Sequence, residues 1–121
     1  MNDLLTSFQS ADLEKLQKEF EVLTFPNDFD LVYQDQIPSA GIAVVEGALE
    51  LLKNSKVMET INPGQVIGIS HLLEEIPFKF VCRVKANSKI ILIGKSKLLS
   101  SIKNKRSPLY PLLRPFRAEK R

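Results

Sequence analysis

Ile61-Asn62-Pro63-Gly64-Gln65-Val66-Ile67-Gly68-Ile69-Ser70-His71-Leu72-Leu73, closed by Pro77-Phe78-Lys79, is the stretch whose reading decides the fold. An apolar run ends in Pro63-Gly64, the pair a type II turn takes at its central positions. A second glycine, Gly68, follows a further short apolar run. A short apolar turn then leads to another strand.

On either side of this stretch the chain reads as short β-like runs with turn residues every eight to ten positions, the pattern of a sandwich or barrel. The runs are Leu31-Val32-Tyr33, Gly41 to Glu46, Gly47 to Leu52, Lys56 to Ile61, Phe80 to Ala86 and Ile90 to Gly94, the last expected to be buried on both faces. Asn54-Ser55 predicts a tight hairpin, because asparagine tolerates the left-handed backbone region. Before the strands, Leu13, Leu16, Phe20 and Leu23 recur at spacings of three and four, which predicts a helix over 11–23 with Ser10 as N-cap. Leu4, Leu5 and Phe8 read as an earlier helical turn or as an arm that orders on a partner. After the strands, Lys95 to Ile102 reads as a helix with Leu98, Leu99 and Ile102 inward. Pro108, Pro111 and Pro115 break the tail that follows. The chain thus divides into an N-terminal helical segment (1–28), a β-roll (29–94) and a helical, basic C-terminal tail (95–121), all within one domain.

The run from about Phe29 to Ile102 resembles the cyclic-nucleotide-binding domains of the catabolite-activator and kinase-regulatory type. The likeness rests on Ile42 to Leu51, on Ile61 to Gly68, and on Ile90 to Leu98. It implies a mostly β fold with flanking helices, an eight-stranded, jelly-roll-like double-stranded β-helix. It also implies a phosphate-binding cassette at Gly68, Ile69, Ser70, His71, Leu72, Phe78 and Lys79. In the family the second glycine is followed by a glutamate for the ribose, and the proline by an arginine for the phosphate. Here Ile69 and Phe78 stand in those places, and Asp35 stands where a glycine is usual. A buried cyclic phosphate needs amide N–H donors and a guanidinium. Isoleucine accepts no hydrogen bond, and phenylalanine carries no charge. Loss of two charge-assisted partners weakens binding by roughly two to four orders of magnitude. Lys79 has two readings, a point charge that rescues the anion site or a solvated lysine. His71 likewise either fills or touches the pocket, or is an ordinary packed or surface histidine. Ile69, Phe78 and Phe80 together predict a pocket filled by its own side chains.

Composition narrows the remaining classes. The 121 residues are 44% hydrophobic and 26% charged, as in ordinary globular domains. No apolar run reaches the roughly 18–20 residues of a membrane span. Cys82 is the only cysteine and His71 the only histidine, so neither an internal disulfide nor a multi-histidine metal site is expected. No cofactor is expected and nothing assembles a nucleophile with its base, so an enzyme is not expected. Residues 1–60 hold eleven acids and four bases, and residues 61–121 three acids and thirteen bases. That bipolarity bears on partners rather than on fold. A protein partner or a homodimer is expected. Only about 19 residues follow Ile102, so no helix-turn-helix and no sequence-specific nucleic-acid reading is expected. A cytoplasmic location fits the single cysteine and the lack of a signal-like N-terminus. Two functions compete: a stand-alone regulatory module that binds a protein partner, and a sensor that takes a cyclic or other anionic nucleotide in an altered mode.

Overall fold

The computed structural model describes residues 5–7, 10–107 and 109–110, with side chains from residue 13 onward. In chain order the elements are β1 (Leu5–Ser7), α1 (Ser10–Glu19), β2 (Leu23–Phe25), β3 (Phe29–Val32), β4 (Ala40–Glu46), β5 (Leu49–Lys53), β6 (Lys56–Ile61), β7 (Gln65–Ile67), α2 (Ile69–Glu74), β8 (Val81–Val84), β9 (Ser88–Gly94) and α3 (Lys95–Ser101). The strands form two antiparallel sheets. One has the order β1-β7-β4-β9-β2 and the other β3-β8-β5-β6. This is the mostly β, jelly-roll-like architecture with flanking helices that the sequence predicts.

Side-chain alternation builds three layers from these elements. Between the sheets lie Ile42 and Val44 of β4, Ile67 of β7 and Ile90 of β9, packed on Leu49, Leu51, Cys82 and Val84 of the facing sheet. On the outer face of the five-stranded sheet, Ala43, Val66, Ile91 and Ile93 pack against Leu16 of α1, Leu72 of α2, Leu98 of α3 and Leu109. The middles of β4 and β9 are therefore covered on both faces as far as Ile91, which is why Ile42 to Val44 and Ile90-Ile91 read as apolar runs. The four-stranded sheet turns its other face to water. There Arg83 sits between Asp30 and Glu50 in register, with its Nε donating to Asp30 Oδ1 at 2.7 Å. Lys85 Nζ reaches Asp28 at 3.0 Å and Glu50 at 3.5 Å.

Gly47 locks the two sheets together at one end. It has φ +81°, and a Cβ there would come within 2.8 Å of Ser88 Cα. The Ser88 hydroxyl fills that space. It accepts from Ala48 N–H at 3.0 Å and donates to Ala48 O at 3.1 Å. The Asn54-Ser55 hairpin forms as expected, with both residues at positive φ, 53° and 66°.

Four local expectations change. Ser10 opens α1 as a helical residue, and α1 stops at Glu19. Leu23 leaves the helical stripe to pair with Ile90 at the sheet edge, tertiary pairing winning over local periodicity. Leu5 lies in β1, paired with Ile67 of β7, rather than in a helical turn. Leu4, Phe8 and the proline-broken stretch 111–121 lie outside the described residues. Leu99 of α3, expected inward, is 45% exposed, and Leu92, in the strand expected to be buried on both faces, is 36% exposed.

Candidate functional site

The cassette begins where β7 ends. Gly68 is the residue before α2 and has φ 87°, a left-handed conformation that glycine adopts freely. Its carbonyl accepts the Leu72 N–H at 2.9 Å, closing the first turn. α2 is six residues long and is capped by Glu75, again left-handed at φ 57°. The Glu75 turn is closed by the Ile76 N–H donating to His71 O at 2.9 Å. The backbone thus makes a short helix with a left-handed residue at each end.

Its side chains divide between two layers. Ile69 is 4% exposed and Leu72 5%, and both pack outward with the helices. Gly41 gives Ile69 its room, because a Cβ on Gly41 would stand 3.2 Å from Ile69 Cγ1. Phe78 enters the opposite layer, between the sheets, and is 2% exposed. The ring of Phe78 lies against Gly68, with its Cζ 3.6 Å from where a Cβ would be. Its backbone is clasped by the turn after β3. Phe78 N–H donates to Gln36 O at 2.9 Å, and Asp35 N–H donates to Phe78 O at 2.7 Å. Asp35 holds φ 69°, so the place where a glycine is usual keeps a glycine-like backbone.

His71 meets Phe78 edge-on, with ring centroids 4.8 Å apart and planes at 90°. Its Nδ1 is buried and has no hydrogen-bond partner among the described residues. Burial pushes the imidazole below the ordinary histidine value; the Glu74 carboxylate opposes this and the Lys79 cation adds to it. Ser70 is half-buried on the same short helix, and Lys79 is exposed. The structure therefore brings Gly68, His71 and Phe78 together, while Ile69 and Leu72 face another layer and Lys79 faces solvent. Arg83, the next guanidinium along the chain, is held on the outer sheet face by Asp30 and does not substitute at the cassette. A groove of about 50 Å³ opens beside Leu31, Ala40, Ile42 and Leu92. Pockets for drug-sized ligands start at about 300 Å³.

Sequence reasoning missed the clasp by Asp35 and Gln36 and the close approach of Gly41 to Ile69. Asp35 at a glycine place was the available signal for the first. Nothing local marked the second.

No family model matches the chain. Among curated proteins it is similar to Potassium channel KAT3 of Arabidopsis thaliana, with 24% identity over 105 residues. That match takes in 84% of this chain and only 16% of the channel, so the chain spans about a sixth of that relative's length. Among solved structures, a protein from work on a cyclic-GMP-dependent signalling pathway in bacterial phytopathogenesis superposes with a TM-score of 0.75. The two are 14% identical, and 95% of each chain is covered. A cyclic nucleotide-binding domain from Methylobacillus flagellatus gives 0.67 at 16% identity, over 93% of this chain and 68% of that one. The layers, the turn into Gly68 and these likenesses agree: the chain has the β-roll fold of the cyclic-nucleotide-binding domains.

Proposed function

We propose that this domain has given up ordinary binding of cyclic AMP and cyclic GMP and serves as a regulatory module that binds a protein partner. One observation carries the reading. Phe78, standing where the family's phosphate-binding arginine stands, is buried between the sheets and packed on Gly68 and His71. A phosphate placed there would meet an aromatic ring in place of a guanidinium, and Ile69 offers the ribose no acceptor. What the domain retains is a rigid roll with helices on one face and a charge-paired sheet on the other.

Calorimetry and thermal shift with cyclic AMP and cyclic GMP test this directly. The expected result is no heat and no shift at millimolar ligand. A bound nucleotide at about 100 times its dissociation constant would add about 2.7 kcal/mol and be readily seen. Light scattering and affinity capture then test the second half of the reading, for which a strict monomer that captures nothing is the refuting result.

A sensor reading keeps one specific support, the Nδ1 of His71, buried beside the cassette and without a partner among the described residues. Such an atom is a ready partner for a ligand donor or acceptor. Stabilisation by a nucleotide other than cyclic AMP or cyclic GMP, lost in His71→Phe, would favour it.

A further inference from the structure

From Ile76 to the last residue the chain carries thirteen bases and one acid, Glu119. Several of these bases are absorbed within the fold. Arg83 and Lys85 pair on the outer sheet face. Lys89 reaches Glu46, Lys95 reaches Glu75, and Lys97 reaches Glu19. Lys103, Lys105 and Arg106 are different. They stand within four consecutive exposed residues, and no described carboxylate lies within ion-pair distance of any of them.

The turn that carries them is pinned on both sides. Asn104 N–H donates to Ser101 O at 3.2 Å, and Ser107 N–H donates to Asn104 O at 3.1 Å. Asn104 Oδ1 accepts the Arg106 N–H at 3.0 Å. Beneath the turn the hydroxyls of Ser107 and Ser101 meet at 3.0 Å, and Leu109 N–H donates to Ser107 Oγ at 3.1 Å. Ser101 is 2% exposed and Leu109 is fully buried in the helical layer. A partner that binds this turn has little backbone left to order. Beside it, one helical turn before Lys103, Leu99 is 45% exposed.

We propose that this end of the domain docks on an anionic lipid surface. Lys103, Lys105 and Arg106 meet headgroup phosphates, and Leu99 enters the boundary of the acyl region. Cations interspersed with exposed apolar side chains are what a peripheral membrane surface requires. The chain beyond the turn continues that composition, with Leu112, Leu113 and Phe116 among Arg114 and Arg117. Single-stranded nucleic acid takes stacking aromatics as well as cations. The aromatic nearest in sequence, Tyr110, is half-buried.

Co-sedimentation of the whole chain with phosphatidylcholine vesicles, with and without phosphatidylserine, tests the proposal. The chain is expected to sediment only with the phosphatidylserine vesicles and to be released by salt. The variant K103Q/K105Q/R106Q is expected to partition about a hundredfold less, since each cation near an anionic leaflet contributes about fivefold. Lys105→Gln alone, at about fivefold, keeps the measurement decisive if the triple variant does not fold. Leu99→Gln is expected to weaken binding without changing its salt dependence. K53Q/K56Q, on the β5–β6 hairpin, is the control and is expected to bind normally. The proposal is overturned if the native chain stays in the supernatant with phosphatidylserine vesicles, or if native and triple-variant chains sediment alike. Binding to an oligonucleotide but not to vesicles overturns it in favour of nucleic acid.

Discussion

The edge of the His71 imidazole rests on Phe78, with ring centroids 4.8 Å apart and planes perpendicular. One ring comes from the cassette helix and the other from the strand approach after it. Together they fill the ground beside Gly68. The contact links stability to the question of ligand binding.

Phe78 is 2% exposed, so its removal leaves a hole between the sheets. Phe78→Ala is expected to destabilise by about 3–5 kcal/mol, read from the denaturant midpoint at unchanged slope. The double variant I69E/F78R is expected to be less stable still and to give no heat with cyclic AMP. It buries a carboxylate and a guanidinium in two different layers, where they do not meet. Binding in that variant would show that the cassette is still convertible.

The titration of His71 gives a pH prediction. Burial holds the folded-state pKa below the ordinary histidine value of 6.5. The folded state therefore binds fewer protons than the unfolded chain as pH falls through that range. Stability is full above the unfolded pKa and declines as pH drops below it. Denaturation at neutral pH and at about pH 5 should show the loss, and His71→Phe should flatten it. An equal decline in both proteins would place the pH dependence elsewhere.

Two glycines offer a graded comparison. At Gly68 an added Cβ meets nothing closer than 3.6 Å, so Gly68→Ala carries only left-handed strain, about 1–2 kcal/mol. At Gly47 the same change adds a clash with Ser88 to a positive φ. Gly47→Ala is expected to reach about 3 kcal/mol or more. Thermal unfolding of the two variants side by side tests the order.

Cys82 is fully buried, and burial, with the Asp30 carboxylate adding to it, pushes its thiol up to about 12. Iodoacetamide is expected to leave the native protein unlabelled and to react fully in denaturant. Rapid native labelling would mean that β8 opens locally.

Much of this fold was legible because its signals are local. The central residues of β4 and β9 are apolar because both of their faces are covered there, and Asn54-Ser55 and Pro63-Gly64 are turn chemistry readable from residue type. Leu23 was misread because its neighbours supply a helical period, while its strand partner Ile90 is far along the chain. Leu99 was misread because α3 is short and its stripe is narrower than the run of leucines implies. At the site, the identities of Ile69 and Phe78 were visible. Their separation into different layers was not, since it follows from α2 facing the helices while the chain after it turns back between the sheets. Asp35 takes a left-handed backbone that residue type alone did not announce.

β1 lies along the free side of β7, with Leu5 opposite Ile67, and the next residue after Ile67 is Gly68. Those three residue pairs act as a mechanical coupling. Tension applied to the chain ahead of Leu5 is delivered as shear to the strand that leads directly into the cassette helix. Unzipping β1 would leave the β7 backbone with a bare rim at the root of that helix. The pairing of Leu5 with Ile67 thus ties the seating of β1 to the strand that leads into α2.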